Sequence, residues 1–254
     1  MTRPSITQIQ QALAGTAGGF LRNPVQHGTC ARCFTPIASP SLCSRCHHLL
    51  TFSGGPDLLG VMAYAGYMDP ISQSGHLMRG YKNPYILSGV HHQTVALMAA
   101  LGLMGHVECP GRLLAAPVSA WATVPSLPPK PGQTQHTLNG IVSRLARYGA
   151  AEVVLTAAAT APYPREVSRA HYAASPNAGG QHVLMIDDTW TGGGHATSAA
   201  LALRDAGATH VSVLVLARWL SNGWEATTPQ WAKQELTRPD FNPAVCPWTQ
   251  GPCP

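Results

Sequence analysis

Residues 183–186, Val-Leu-Met-Ile, form an unbroken apolar run. The run is short and lacks the polar alternation of a half-exposed strand, so it predicts a strand buried on both faces. Asp187 and Asp188 close it, and a loop rich in glycine and threonine follows. Ala199, Ala200, Leu203 and Ala206 then recur at helical spacing, and Gly207 suits a helix stop. Val211, Val213 and Val215 open a second buried strand. A strand–loop–helix–strand unit of this kind has parallel strands and a right-handed crossover. Ligands of open parallel sheets bind beyond the carboxyl ends of the strands, which is where the two acids and the glycine loop lie.

The rest of the chain alternates in the same way. Apolar runs predict strands over residues 58–67, 113–118 and 152–156. Helical patterns cover residues 6–13, 70–81, 90–104 and 137–148. The first of these, with the glycine-rich link after it, reads as a frayed arm as readily as a functional element. The loop over residues 121–135 carries four prolines between Pro125 and Pro131, and long loops inside compact domains are often functional. Strands alternating with helices imply an α/β fold around a parallel sheet.

Composition bounds the class. At 254 residues the chain allows one domain of ordinary size and an appendage. Apolar residues make up 45%, enough for a sizeable core, while 25 glycines and 22 prolines make the chain loop-rich. The net charge of +5 suits anionic small ligands and is too diffuse to argue for nucleic acid. No apolar run approaches a membrane span, and the first residues lack the apolar core of a signal peptide. The expectation is a cytoplasmic protein without a membrane partner.

The loop after the acids has its own chemistry. Glycines let backbone N–H groups turn toward one point, and a helix N-terminus adds partial positive charge. Thr189 and Thr191 add hydroxyl donors. Together they make a cradle for a phosphate. The adjacent acids repel phosphate, but they can accept hydrogen bonds from sugar hydroxyls or help hold a divalent cation near a diphosphate.

At these residues the chain resembles the type I phosphoribosyltransferases. That family's motif for phosphoribosyl pyrophosphate (PRPP) is an apolar strand, two acids and a threonine-glycine loop. The resemblance implies that Asp187 and Asp188 are the catalytic pair and bind the ribose hydroxyls. It implies that Thr189, Trp190, Thr191, Gly192, Gly193, Gly194 and His195 wrap the 5′-phosphate, with Mg²⁺ as cofactor. Gly192 and His195 stand where the family has threonines, so two hydroxyl donors are absent. Lys82, Arg165 and Arg169 are candidate diphosphate contacts. For the two arginines, solvated loop charge is an equal alternative.

A second signal lies upstream. Cys30-x2-Cys33 is followed after nine residues by Cys43-x2-Cys46. Two such knuckles bring four thiolates to one tetrahedral ion, the arrangement Zn²⁺ prefers, and a module this small needs a metal staple to fold. Disulfides are the alternative, disfavoured in a cytosolic setting. His47 and His48 are substitute ligands or, more simply, part of a helix after the knuckle. A closed four-Cys site is structural. Cys246 and Cys253 form a second knuckle, packing beside the first or completing a metal site with one of its cysteines or a histidine, or stay reduced and unliganded. Cys109 reads as a buried small hydrophobe.

The ribbon, then Tyr81-Lys82, a Pro-Val-Ser after a strand, and the Asp-Asp motif together are similar to the competence protein F (ComF) family, a zinc-ribbon branch of the phosphoribosyltransferases. Pro131-Gly132-Gln133 stands where that family carries Arg-Gly-Phe-Asn-Gln. The expected fold is a type I phosphoribosyltransferase-like parallel sheet flanked by helices, plus a small N-terminal four-Cys zinc ribbon. The expected division is 1–50 for the arm and ribbon, 51–220 for the phosphoribosyltransferase-like domain and 221–254 for an extension.

The expected function is binding of PRPP, or another ribose 5-phosphate ligand, with Mg²⁺ and transfer of the phosphoribosyl group to a nitrogen base acceptor. The alternative is a non-catalytic ComF-like module acting in DNA uptake or regulation through single-stranded DNA or the competence machinery. For DNA the ribbon offers only Arg32, Arg45, Phe34 and nearby histidines. A metal-dependent hydrolase built on His182, Asp187, Asp188 and His195 ranks last, because their strand-and-loop order suits a ribose site better.

Overall fold

The structure is a computed structural model that describes residues 4–18, 20–37, 42–66, 72–82, 89–129, 136–145, 150–220, 236, 238 and 240–254. The described chain runs α1 (Ile6–Ala17), α2 (Ser44–Leu49), β1 (Leu58–Gly66), α3 (Ser72–Gly80), α4 (Gly89–Gly105), α5 (Cys109–Leu114), β2 (Ala120–Thr123) and α6 (Thr137–Leu145). It continues through β3 (Ala151–Glu152), β4 (Leu155–Ala157), β5 (Tyr172–Ala174), β6 (His182–Trp190), α7 (Gly194–Asp205) and β7 (His210–Leu220). The expected 131–133 segment lies outside the described residues, as do the ends of the expected helices at 70–71 and 146–148.

Five strands form one parallel sheet in the order β1-β7-β6-β2-β3. Its central strands are buried on both faces, as their apolar runs require. Side-chain alternation sorts each strand between two cores. Val183, Met185, Val211, Val213 and Val215 face the alanines of α7 and the four-cysteine segment. Leu184, Ile186, Leu214 and Leu216 face α1, α4 and α6. The sheet is therefore covered by helices on both sides. α1 is no frayed arm: Ser5 caps it in a reciprocal capping box with Gln8, and Ile9 and Leu13 are buried against α4 and the sheet.

Two expected strands differ in the structure. The strand expected over 113–118 is instead the end of α5 and a turn. Pro110 suits a helix start, Ala115 stops the helix in a left-handed conformation (φ 51°), and Leu113 is 43% exposed. The buried strand is Ala120–Thr123, which pairs with β6 on one side and β3 on the other. The strand expected over 152–156 is split. β3 ends at Glu152 on the sheet edge, and β4 pairs antiparallel with β5 in a separate ribbon. The β6–α7–β7 unit forms as the pattern predicts, with Gly207 at φ 92° after α7.

Candidate functional site

The site lies at the carboxyl edge of β6. This strand runs past both acids to Trp190, because its ladder with β7 continues to the Trp190–Arg218 pair. Thr189 and Trp190 therefore belong to the strand, and the loop proper is Thr191, Gly192 and Gly193. Alternation sends the two acids to opposite faces. Asp187 continues the row of Val183 and Met185, and Asp188 continues the row of Leu184 and Ile186.

Asp188 is buried and doubly held. Tyr81 Oη donates to its Oδ2 at 2.6 Å, and Lys82 Nζ forms an ion pair with the same oxygen. Burial alone would raise its pKa, but the Lys82 charge and the Lys82 and Tyr81 hydrogen bonds outweigh burial and hold it below the usual carboxylate value. Asp187 moves the other way. Burial first, and then repulsion from Asp188, push it up to about 8 against the pull of Lys82. Protonation of the pair therefore falls first on Asp187. Tyr81 is pushed well up by burial and by Asp188, which keeps it a neutral donor.

The loop after the acids is tightly fitted. Gly193 sits at φ 76°, and a Cβ there would fall 2.2 Å from the Trp190 ring and 2.7 Å from Leu49 Cδ1. At Gly194 a Cβ would lie 2.2 Å from the main-chain oxygen of Arg165. Only glycine fits at either place. α7 starts at Gly194, and Thr197 N–H donates to Gly193 O at 2.9 Å. Among the described residues the N–H groups of Gly194, His195 and Ala196 find no acceptor, as expected of a first helical turn. They and the helix dipole face the loop, a ready site for an anion. His195 lies in this turn. Burial lowers its pKa, and its Nε2 is enclosed without a hydrogen-bond partner among the described residues.

The four-cysteine segment is docked on this loop by two arginines. Arg45, on α2, donates from Nε to Gly192 O at 3.0 Å and from Nη2 to Arg165 O at 2.8 Å. Arg218, at the end of β7, is buried. Its Nη1 reaches Trp190 O at 2.8 Å and Thr191 O at 2.9 Å, while its Nε reaches Cys33 O at 3.1 Å. Its Nη2 bonds Thr35 Oγ1. Neither arginine was singled out for the loop from sequence. The one sequence signal was Arg218 itself, a cation closing a buried apolar strand, which demands partners.

Cys30, Cys33, Cys43 and Cys46 converge, with ligand atoms all within 4.8 Å of one another. The Cys33 and Cys43 Sγ atoms lie 3.8 Å apart. Two sulfurs on one tetrahedral zinc ion, each bonded at about 2.3 Å, are separated by about that distance. Backbone N–H groups point at the sulfurs, Cys43 N to Cys30 Sγ at 3.3 Å and Cys46 N to Cys43 Sγ at 3.4 Å. The cluster can hold a zinc ion. His47 and His48 are on α2, outside it.

The remaining candidates are distributed differently from expectation. Lys82 is at the site, but on Asp188. Arg165 reaches the loop through its carbonyl, with an exposed side chain. Arg169 pairs with Asp205 at the far end of α7 and donates to Ser53 O at 3.3 Å. His182 opens β6, and its ring lies between Ala116 O at 2.6 Å and Ser212 Oγ at 2.8 Å. The hydrolase constellation of His182, Asp187, Asp188 and His195 therefore does not converge. The ribbon's candidate DNA contacts serve the fold: Phe34 is buried, Arg32 donates to Pro56 O at 2.5 Å, and Arg45 holds the loop. Cys246 and Cys253 do not join the first cluster. They meet His106 and Cys109 instead, so Cys109 is not a plain core residue.

The fold and site thus define an α/β protein with a parallel sheet, a glycine loop at its carboxyl edge and a four-cysteine cluster docked on that loop. No protein-family model and no curated protein matches the chain. No described helix is long and apolar enough to cross a membrane.

Proposed function

We propose that the protein binds a ribose 5-phosphate ligand, PRPP in the first instance, at the carboxyl edge of β6. The observation that carries this reading is the adjacent acid pair at the carboxyl end of β6, followed across one short loop by the N–H groups of α7 that have no acceptor among the described residues. The N–H groups of Gly194, His195 and Ala196 would hold the 5′-phosphate. Asp187 offers an O–H donor and acceptor oxygens, which suits a vicinal diol. The acids fit a resident Mg²⁺ poorly, because Asp188 is occupied by Lys82 and the surroundings of Asp187 disfavour its charged form. A magnesium ion would come with the ligand's diphosphate, where it supplies charge neutralisation. Zinc at Cys30, Cys33, Cys43 and Cys46 would be structural, stiffening the loop's support.

Phosphoribosyl transfer extends this reading: a nitrogen nucleophile displaces diphosphate at the anomeric carbon, with the chain supplying position and electrostatics. The test is calorimetric titration of PRPP and of ribose 5-phosphate, with and without Mg²⁺. We expect binding by the native protein and none by the Asp187→Asn, Asp188→Asn double variant with its fold intact. Absence of heat at millimolar PRPP would sink the reading and favour a module acting through DNA or protein partners in the cytoplasm.

A further inference from the structure

We propose that His106, Cys109, Cys246 and Cys253 form a second zinc site, which clamps the 240–254 segment over the open edge of the sheet. The inference is independent of any ribose ligand. Their four ligand atoms lie within 4.8 Å of one another. His106 Nδ1 is 3.4 Å from Cys253 Sγ and 3.9 Å from Cys109 Sγ. Ligands on one tetrahedral zinc, with Zn–N about 2.0 Å and Zn–S about 2.3 Å, are separated by about that much.

The local structure brings the donors together in two pairs. His106 and Cys109 span the turn between α4 and α5, where Cys109 N–H donates to His106 O at 3.2 Å. Cys246 and Cys253 flank a tight reversal, in which Cys246 N–H donates to Gly251 O at 2.9 Å and Gln250 N–H to Cys246 O at 2.8 Å. All three cysteines are free thiols, and an odd number of them cannot be satisfied by disulfides. His106 turns Nδ1 to the sulfurs, while its buried Nε2 has no hydrogen-bond partner among the described residues. Three thiolates and a neutral imidazole are a closed zinc donor set with no open position, which makes the role structural.

The location supplies the purpose. β1 is an edge strand of the sheet, and open edges invite pairing with other chains. Val61 N–H donates to Pro247 O at 2.9 Å, and Gln250 Nε2 donates to Val61 O at 2.9 Å. Trp248 packs on Gly60, where a Cβ would come within 2.8 Å of its ring. Trp248 Nε1 also donates to His106 O at 3.2 Å. The metal would tie this covering segment to the α4–α5 turn.

The test is metal analysis of protein purified without chelator, together with Co²⁺ reconstitution of the apoprotein. The wild type should hold two zinc ions per chain. Cys253→Ser, a change at an exposed position, should lower this to one, and Cys246→Ser, Cys253→Ser should do the same. Co²⁺ bound to the wild type should show thiolate charge-transfer absorption from both sites, and the double variant should lose part of it. The double variant should also gain protease cleavage within 240–254. One zinc in the wild type with no change in either variant would overturn the proposal. So would a disulfide between any two of Cys109, Cys246 and Cys253 in the freshly purified protein. Cys43→Ser distinguishes the sites, since its loss of metal must leave the second zinc in place.

Discussion

Asp187 is the residue whose environment most shapes the site. Its folded pKa of about 8 lies above the value of an exposed carboxylate. Between those two values the folded chain binds more protons than the unfolded chain, so the Asp187 contribution to stability falls as pH rises. The effect is absent below the unfolded pKa and complete above about pH 8. Asp187→Asn should therefore melt close to wild type at pH 4 and progressively above it toward pH 8, with no further gain beyond. A pH series of melting temperatures checks this; a constant difference across the range would remove the shift. On the proposed reading, ligand binding should weaken as pH rises through about 8 in the wild type, because Asp187 loses the O–H that would donate to the diol. Tyr81→Phe acts on the partner acid. It deletes a donor to a buried charge, at a cost of about 1–3 kcal/mol in urea unfolding, and leaves Asp188 its ion pair with Lys82.

At the scale of elements, α2 and the loop between β6 and α7 behave as one unit. Arg45 and Gly192 are 147 positions apart in sequence, yet the side chain of one fixes the carbonyl of the other. Leu49 of the same helix lies under Gly193. Arg45→Ala should weaken ligand binding while leaving the zinc content of the Cys30 cluster unchanged; equal affinity would mean that the loop keeps its shape unaided. Gly193→Ala should be far worse, since it combines strain at φ 76° with a clash against Trp190, and loss of most ligand binding is the expected readout. Sequence periodicity revealed β6, α7 and β7, because their apolar runs and alanine spacing are local. It also revealed the Cys-x2-Cys pairs. It missed β2, because Ala120-Trp-Ala-Thr lacks the aliphatic run that marks a buried strand. It missed the hold of Arg45, Arg218 and Tyr81 on the site, because each contact joins segments distant along the chain.

At the scale of the molecule, two cysteine-rich clusters sit at opposite functions. The Cys30 cluster has three buried ligands, shares a core with the sheet, and reaches the glycine loop through Arg45 and Arg218. The His106 cluster ends on exposed Cys253 and would tie down a segment over β1, with no hydrogen bond to the loop among the described residues. Chelators extract zinc through exposed ligands, so the two ions should leave in order. The first should depart quickly, with loss of protection in residues 240–254 and with ligand affinity unchanged. The second should depart slowly, and affinity should fall with it as the loop loses its support. Chelator kinetics followed by zinc release and by ligand titration at each stage separate the two events. If affinity fell with the first zinc, the 240–254 segment would have to act on the site through the sheet. If it survived loss of the second, the Cys30 cluster would be a fold element without influence on the loop.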